Sequence, residues 1–158
     1  DISGLIGQFA HGNEPSHHIL YLYTMLGEPH KAADRIREVM TTQYHDAHDG
    51  LSGNEDVGQM SAWYIMSALG FYQVEPAGAR YWFGSPAVTS AELAVEGGTF
   101  KIETENNSAE NKYIQSIRLN GADYTLPYIS HSDLKAGNTL TYVMGNKPAK
   151  WYTKDITE

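Results

Sequence analysis

Cysteine is absent from these 158 residues. Disulfides and thiolate metal sites are therefore excluded, and the redox compartment leaves no trace. No apolar run is long enough to span a bilayer. Basic residues are scarce: 11 Lys and Arg stand against 19 Asp and Glu, for a formal net charge of -8. That balance argues against nucleic acid or an anionic membrane as the main partner. Phe is sparse at 4 residues, whereas Tyr (11) and Trp (3) are plentiful. Aromatics with a polar handle suit carbohydrate clefts, and serve equally well in strands and helix packing. The chain opens Asp1-Ile2-Ser3-Gly4, without Met and without a charged-then-apolar leader, and reads as cut from something longer. Export is thus not legible from it.

What is present divides into two parts. Residues 1–14 are loop-like, punctuated by Gly4, Gly7 and Gly12. Pro15 suits the first position of a helix, and Ile19, Leu22, Tyr23 and Leu26 then fall on one face up to Gly27. Glu28-Pro29 opens a second helix with the stripe Ala32, Ala33, Ile36, Val39 and Met40. Residues 15–44 are thus predicted to form an antiparallel helical hairpin. After a polar loop, a third helix spans 57–69. Trp63, Tyr64, Met66 and Leu69 make it apolar over most of its surface, which predicts burial, and Gly70 ends it. Beyond Gly78, strands are predicted at 81–83, 92–95, 99–103, 112–119, 128–130 and 139–144. Gly97-Gly98, Asn120-Gly121 and Gly137-Asn138 mark the turns. Helices first and antiparallel strands second give an α+β chain. Three helices cannot enclose a Trp-rich helix, which favours pieces of a larger fold.

Two polar loops carry the candidate chemistry. In Gly53-Asn54-Glu55-Asp56-Val57-Gly58-Gln59-Met60-Ser61-Ala62-Trp63-Tyr64, a Gly-bounded acidic turn feeds an apolar helix. Asp56 at that helix mouth could serve as a general base. With Gln59 three residues on, it is equally a capping box that needs no function. Asn54 could orient a water or simply turn the chain. In His11-Gly12-Asn13-Glu14-Pro15-Ser16-His17-His18, Asn13 and Glu14 suit a hard cation through oxygen. His11, His17 and His18, together with Glu14, suit sugar hydroxyls. His and Glu also bind zinc, but no zinc helix motif is present. A single such His is most simply a satisfied buried imidazole; five such groups in one loop weaken that reading. His45, Asp46, His48 and Asp49 could bind a metal but read more simply as a solvated loop.

These stretches, with Ser67-Ala68-Leu69-Gly70-Phe71-Tyr72, Tyr81 to Pro86, Asn111 to Ser116 and Leu119-Asn120-Gly121, closely resemble the C-terminal part of glycoside hydrolase family 92. The resemblance runs in order over nearly the whole chain. It implies a calcium-dependent, inverting, exo-acting α-mannosidase that removes terminal mannose from mannan or N-glycans, with α-1,2 linkages expected. It implies that residues 1–72 are the last helices of an (α/α)6 barrel, and that 73–158 form a small antiparallel β region appended to it. Asp56 falls on the family's catalytic base. Many members carry a second Asp two residues earlier, where this sequence has Asn54. His11, Asn13 and Glu14 fall on the sugar and calcium site, and Gln59 is placed near the metal. The family's catalytic acid, a Glu, lies upstream and has no counterpart here. The chain is therefore expected to be a C-terminal fragment, inactive alone, whose partners are a mannose-containing oligosaccharide and the missing N-terminal part of the enzyme. Family habit places such enzymes in the periplasm or outside the cell. Two other readings stand beside this one: a non-catalytic carbohydrate-binding module with the same pocket, and a purely structural piece whose acidic loops are caps.

Overall fold

The computed structural model describes residues 9–153. Among the described residues the first elements are two 3-10 turns, Glu14–Ser16 and Ile19–Tyr21, that lead into the single-turn helix α1 (Leu22–Met25). The first leg of the predicted hairpin is thus mostly 3-10 and not α. Its hydrogen bonds run i to i+3, His17 N to Glu14 O and Tyr21 N to His18 O, a tight geometry used in short pieces. The second leg, α2 (Pro29–Thr42), buries Ala32, Ala33, Ile36, Val39 and Met40, the stripe that the spacing predicts. Helix α3 (Gln59–Leu69) is bounded by two left-handed glycines, Gly58 (φ 89) and Gly70 (φ 98). It buries Met60, Trp63, Ser67 and Leu69. Its other face is open, with Tyr64 38% and Ile65 58% exposed, contrary to the burial expected from composition.

Eight strands follow among the described residues: β1 (Phe71–Glu75), β2 (Arg80–Phe83), β3 (Ser90–Val95), β4 (Gly98–Glu105), β5 (Tyr113–Leu119), β6 (Ala122–Asp123), β7 (Tyr128–Ser130) and β8 (Thr139–Gly145). A short helix α4 (His131–Lys135) sits between the last two, capped by the Ser130 hydroxyl. One sheet has the order β1-β2-β7, the other β3-β4-β8-β5-β6. The β region is mixed and not purely antiparallel as expected, because β4 and β8 pair in parallel. Alternation in sequence has the same period for either pairing, so strand direction was not readable from it. The Asn120-Gly121 turn is as predicted: both residues have positive φ, 52 and 82, which matches the twist of a tight hairpin.

Strand β1 crosses the 72/73 boundary, and the cores cross it too. Trp82, Tyr72, Val74 and Tyr128 pack with the helices around Trp63. Leu69 and Met66 of α3 pack with the strands. The Tyr21 and Ser67 hydroxyls meet at 2.8 Å in the interior. They hold the first leg against α3, so both polar loops emerge from one scaffold.

Candidate active site

The two loops meet backbone to backbone. A methyl group on Gly12 would lie 2.6 Å from Ser52 O, and one on Gly53 would lie 2.7 Å from Gly12 O. Only glycine at both positions permits that approach. Aromatic rings back the contact. His11 meets the buried Trp63 edge-on at 4.2 Å between centroids and stacks on His17 at 4.6 Å.

Hydrogen bonds fix these rings. Tyr44 Oη donates to Met60 O at 3.0 Å. His11 Nε2 therefore donates to Tyr44 Oη, at 2.6 Å. His17 Nε2 donates to His11 O at 2.9 Å, and Trp63 Nε1 donates to His17 O at 3.1 Å. The Gln59 amide nitrogen donates to His17 Nδ1 at 3.1 Å and to Tyr72 Oη at 2.9 Å. Burial, with His17 adding to it, pushes the His11 pKa down to about 4. Burial also lowers His17, opposed by its bond to the His11 carbonyl and by Glu14 nearby. Burial thus favours the neutral form of both imidazoles. Two buried polar atoms in this loop have no partner among the described residues: His11 Nδ1 and Glu14 Oε1.

The acidic loop takes an uncommon path. Asp56 (φ 44), Val57 (φ 54) and Gly58 (φ 89) are successively left-handed. The Asp56–Gln59 capping box does not form. The Gln59 side chain goes to His17 and Tyr72, and Glu55 caps α3 instead. One Glu55 oxygen accepts from Ser61 N at 2.9 Å and the other from Ser61 Oγ at 2.6 Å. Those two bonds lower the Glu55 pKa. Asp56 is left exposed at the helix mouth, as are Asn54, Asn13 and His18, while Glu14 and Gln59 are half-buried.

Comparison with known proteins identifies the family. The family model "Glycosyl hydrolase family 92 catalytic domain" matches residues 1–146. The chain belongs to glycosyl hydrolase family 92. A family 92 α-mannosidase from Bacteroides thetaiotaomicron is 39% identical, with a TM-score of 0.86 over 92% of this chain and 20% of that one. A family 92 inverting mannosidase from the same organism is 35% identical, with a TM-score of 0.84 over 99% and 22%. A secreted glycosidase of uncharacterised activity from Arthroderma benhamiae is 31% identical over 90% of this chain and 19% of its own length. The chain thus spans about a fifth of the length of these family 92 relatives.

The donors that this family 92 chain offers a cation are oxygens. Among the described residues, no group of three or more His, Cys, Asp or Glu side chains is arranged to hold a metal. Asn13, Glu14 and Gln59 carry one carboxylate and two amide oxygens, a hard set that suits calcium and not zinc. The unpartnered Glu14 Oε1 fits such a set. Calcium takes about 6–8 oxygen ligands, so water, substrate or other residues would complete the shell. A cavity of about 890 Å³ lined by Pro29, Trp82 and Tyr152 contains none of these residues, and its polar Glu75 and Arg80 face each other at 3.7 Å. Tyr44 and Tyr72 are the site-supporting residues that sequence reasoning missed. Their one signal was a phenol at each end of a polar-to-apolar transition.

Proposed function

We propose that this chain supplies the general base and part of the calcium site of an inverting, exo-acting α-mannosidase that removes terminal mannose from mannan or N-glycans, with α-1,2 linkages favoured. The observation that carries this reading is the backbone contact between Gly12 and Gly53, which brings the two loops onto one rim. Asp56, relieved of capping by Glu55, draws a proton from the water that attacks the anomeric carbon, and Asn54 orients that water. Glu14 and His18 line the sugar side, and the buried His11 and His17, expected there from the sequence, back it from behind. Asn13, Glu14 and Gln59 would hold calcium, which would supply a hard cation to fix vicinal hydroxyls and favour ring distortion. The general acid, a Glu outside these residues, protonates the leaving oxygen across the roughly 6.5–9.5 Å gap of inverting enzymes. The open face of α3 at Tyr64 and Ile65 is where the rest of an (α/α)6 barrel packs, so the chain alone is inactive. The naming of one relative as secreted supports action outside the cell or in the periplasm.

In the full-length protein, Asp56→Asn should lower kcat about 10²–10⁴-fold while mannose-analogue binding survives. Retained turnover would end the assignment of Asp56. A carbohydrate-binding module would show binding with no turnover to lose. A purely structural role predicts that calcium chelation leaves both binding and turnover unchanged.

A further inference from the structure

We propose that Glu55 is a positioning residue: by holding Ser61 at the mouth of α3, it keeps the neighbouring Asp56 carboxylate from capping the helix and leaves it free on the rim. The inference rests on the reading of Asp56 as general base, and adds the residue that keeps that base available.

Two adjacent carboxylates compete for one helix mouth. A helix N-terminus presents unpaired N–H groups and attracts negative charge. Asp56, followed three residues on by Gln59, has the spacing of a capping box, and that spacing predicts a helix from Val57. The structure starts α3 two residues later, at Gln59. Glu55 explains the difference. One of its carboxylate oxygens accepts from Ser61 N at 2.9 Å and the other from Ser61 Oγ at 2.6 Å. Ser61 is the third residue of α3, and its N–H is one that an N-cap side chain would take. The Glu55 carbonyl accepts from Met60 N at 3.3 Å, and the Asp56 carbonyl from Gln59 N at 3.2 Å. These four bonds close residues 55–61 into a strap. Within it the chain turns back through three successive left-handed residues, Asp56, Val57 and Gly58. Two of them are not glycine, so the turn is strained and persists only where its neighbours enforce it. Without Glu55, a right-handed path at Val57 and Gly58 would relieve that strain, extend α3 by one half-turn and bring Asp56 to the N-cap. There its carboxylate would accept from the helix backbone and no longer from a water.

The test uses the full-length protein, with crystal structures, initial rates on an α-mannoside and circular dichroism melts of three variants. In Glu55→Ala, α3 should begin at Val57 with the Asp56 carboxylate on its backbone N–H groups. One cap then replaces another, so the melting temperature should stay near wild type. The same variant should lose about 10–100-fold in kcat, the scale of loss from a displacement of roughly 1 Å, with KM little changed. Glu55→Gln keeps an acceptor for Ser61 N and a group that bonds Ser61 Oγ, so its kcat should stay near wild type. A plain cap predicts the reverse for Glu55→Ala, a lower melting temperature with kcat unchanged, and that result overturns the proposal. A Glu55→Ala structure that keeps the left-handed turn overturns it as well, as does a Glu55→Gln kcat as low as that of Glu55→Ala. Asp56→Asn is the third variant. Turnover retained there overturns the base reading itself, and is distinguishable because the start of α3 is read from the crystal structure and not from activity.

Discussion

Val57 sits at φ 54 and is fully exposed, an unfavourable conformation for a β-branched residue. A left-handed L-residue costs about 1–2 kcal/mol, and strain of this kind persists where neighbours enforce it. Val57→Gly should raise stability by up to about 1 kcal/mol, after its own entropy cost, read as a higher unfolding midpoint in urea, with no gain in turnover. Gly58→Ala should cost about 1 kcal/mol from conformation alone, since nothing lies within 4 Å of the added methyl. The histidines make a separate prediction. His11 and His17 are lowered in the folded state, so between about pH 4 and 6.5 the unfolded chain binds more protons. Stability should be complete above pH 6.5 and fall as pH drops toward 4, by at most about 3 kcal/mol from His11. Melting temperatures taken from pH 7 to 4 should show this slope reduced in His11→Phe. Asp56 and Asn54 were legible as candidates from their place before an apolar helix. That Glu55 would cap the helix was not, because the left-handed turn at 56–58 breaks the spacing on which a capping box depends.

At the scale of elements, the loop contact is the critical junction. Gly12→Ala and Gly53→Ala each press a methyl against carbonyl oxygens that cannot rotate away. Each should destabilise the chain by about 1–3 kcal/mol and lower kcat/KM of the full-length protein by moving the rims apart. Circular dichroism melts together with initial rates check both outcomes. Glycine in each motif was visible, but not that Gly12 and Gly53 themselves make the backbone contact. The α2 stripe was fully legible because burial follows the helical period. The open face of α3 was not, since composition shows apolarity and not what covers it.

At the scale of the molecule, polar clasps join helices to sheets. Arg37 of α2 reaches Ser85 Oγ at 2.9 Å, Asn107 Oδ1 at 2.7 Å and the Pro86 carbonyl. Thr24 Oγ1 donates to Phe83 O at 2.9 Å, and Tyr152 Oη to Thr24 O at 2.8 Å. Helices and strands should therefore unfold together, with coincident transitions by tryptophan fluorescence and far-UV circular dichroism. Arg37→Met should lower stability by about 1–3 kcal/mol by leaving buried acceptors unpaired. Two separated transitions in the wild type would contradict the shared core.

The α2 stripe, the Asn120-Gly121 turn and the two polar loops can be read from the amino-acid order alone. Each is set by rules acting over a few neighbouring residues. The parallel β4–β8 pairing, the carboxylate that caps α3, and the tautomers of His11 and His17 emerge only from the folded packing. Those depend on partners far apart in the chain, such as Tyr44 for His11 and Gln59 for His17, and a hydrogen bond acquires a direction only once packing has brought both atoms within reach.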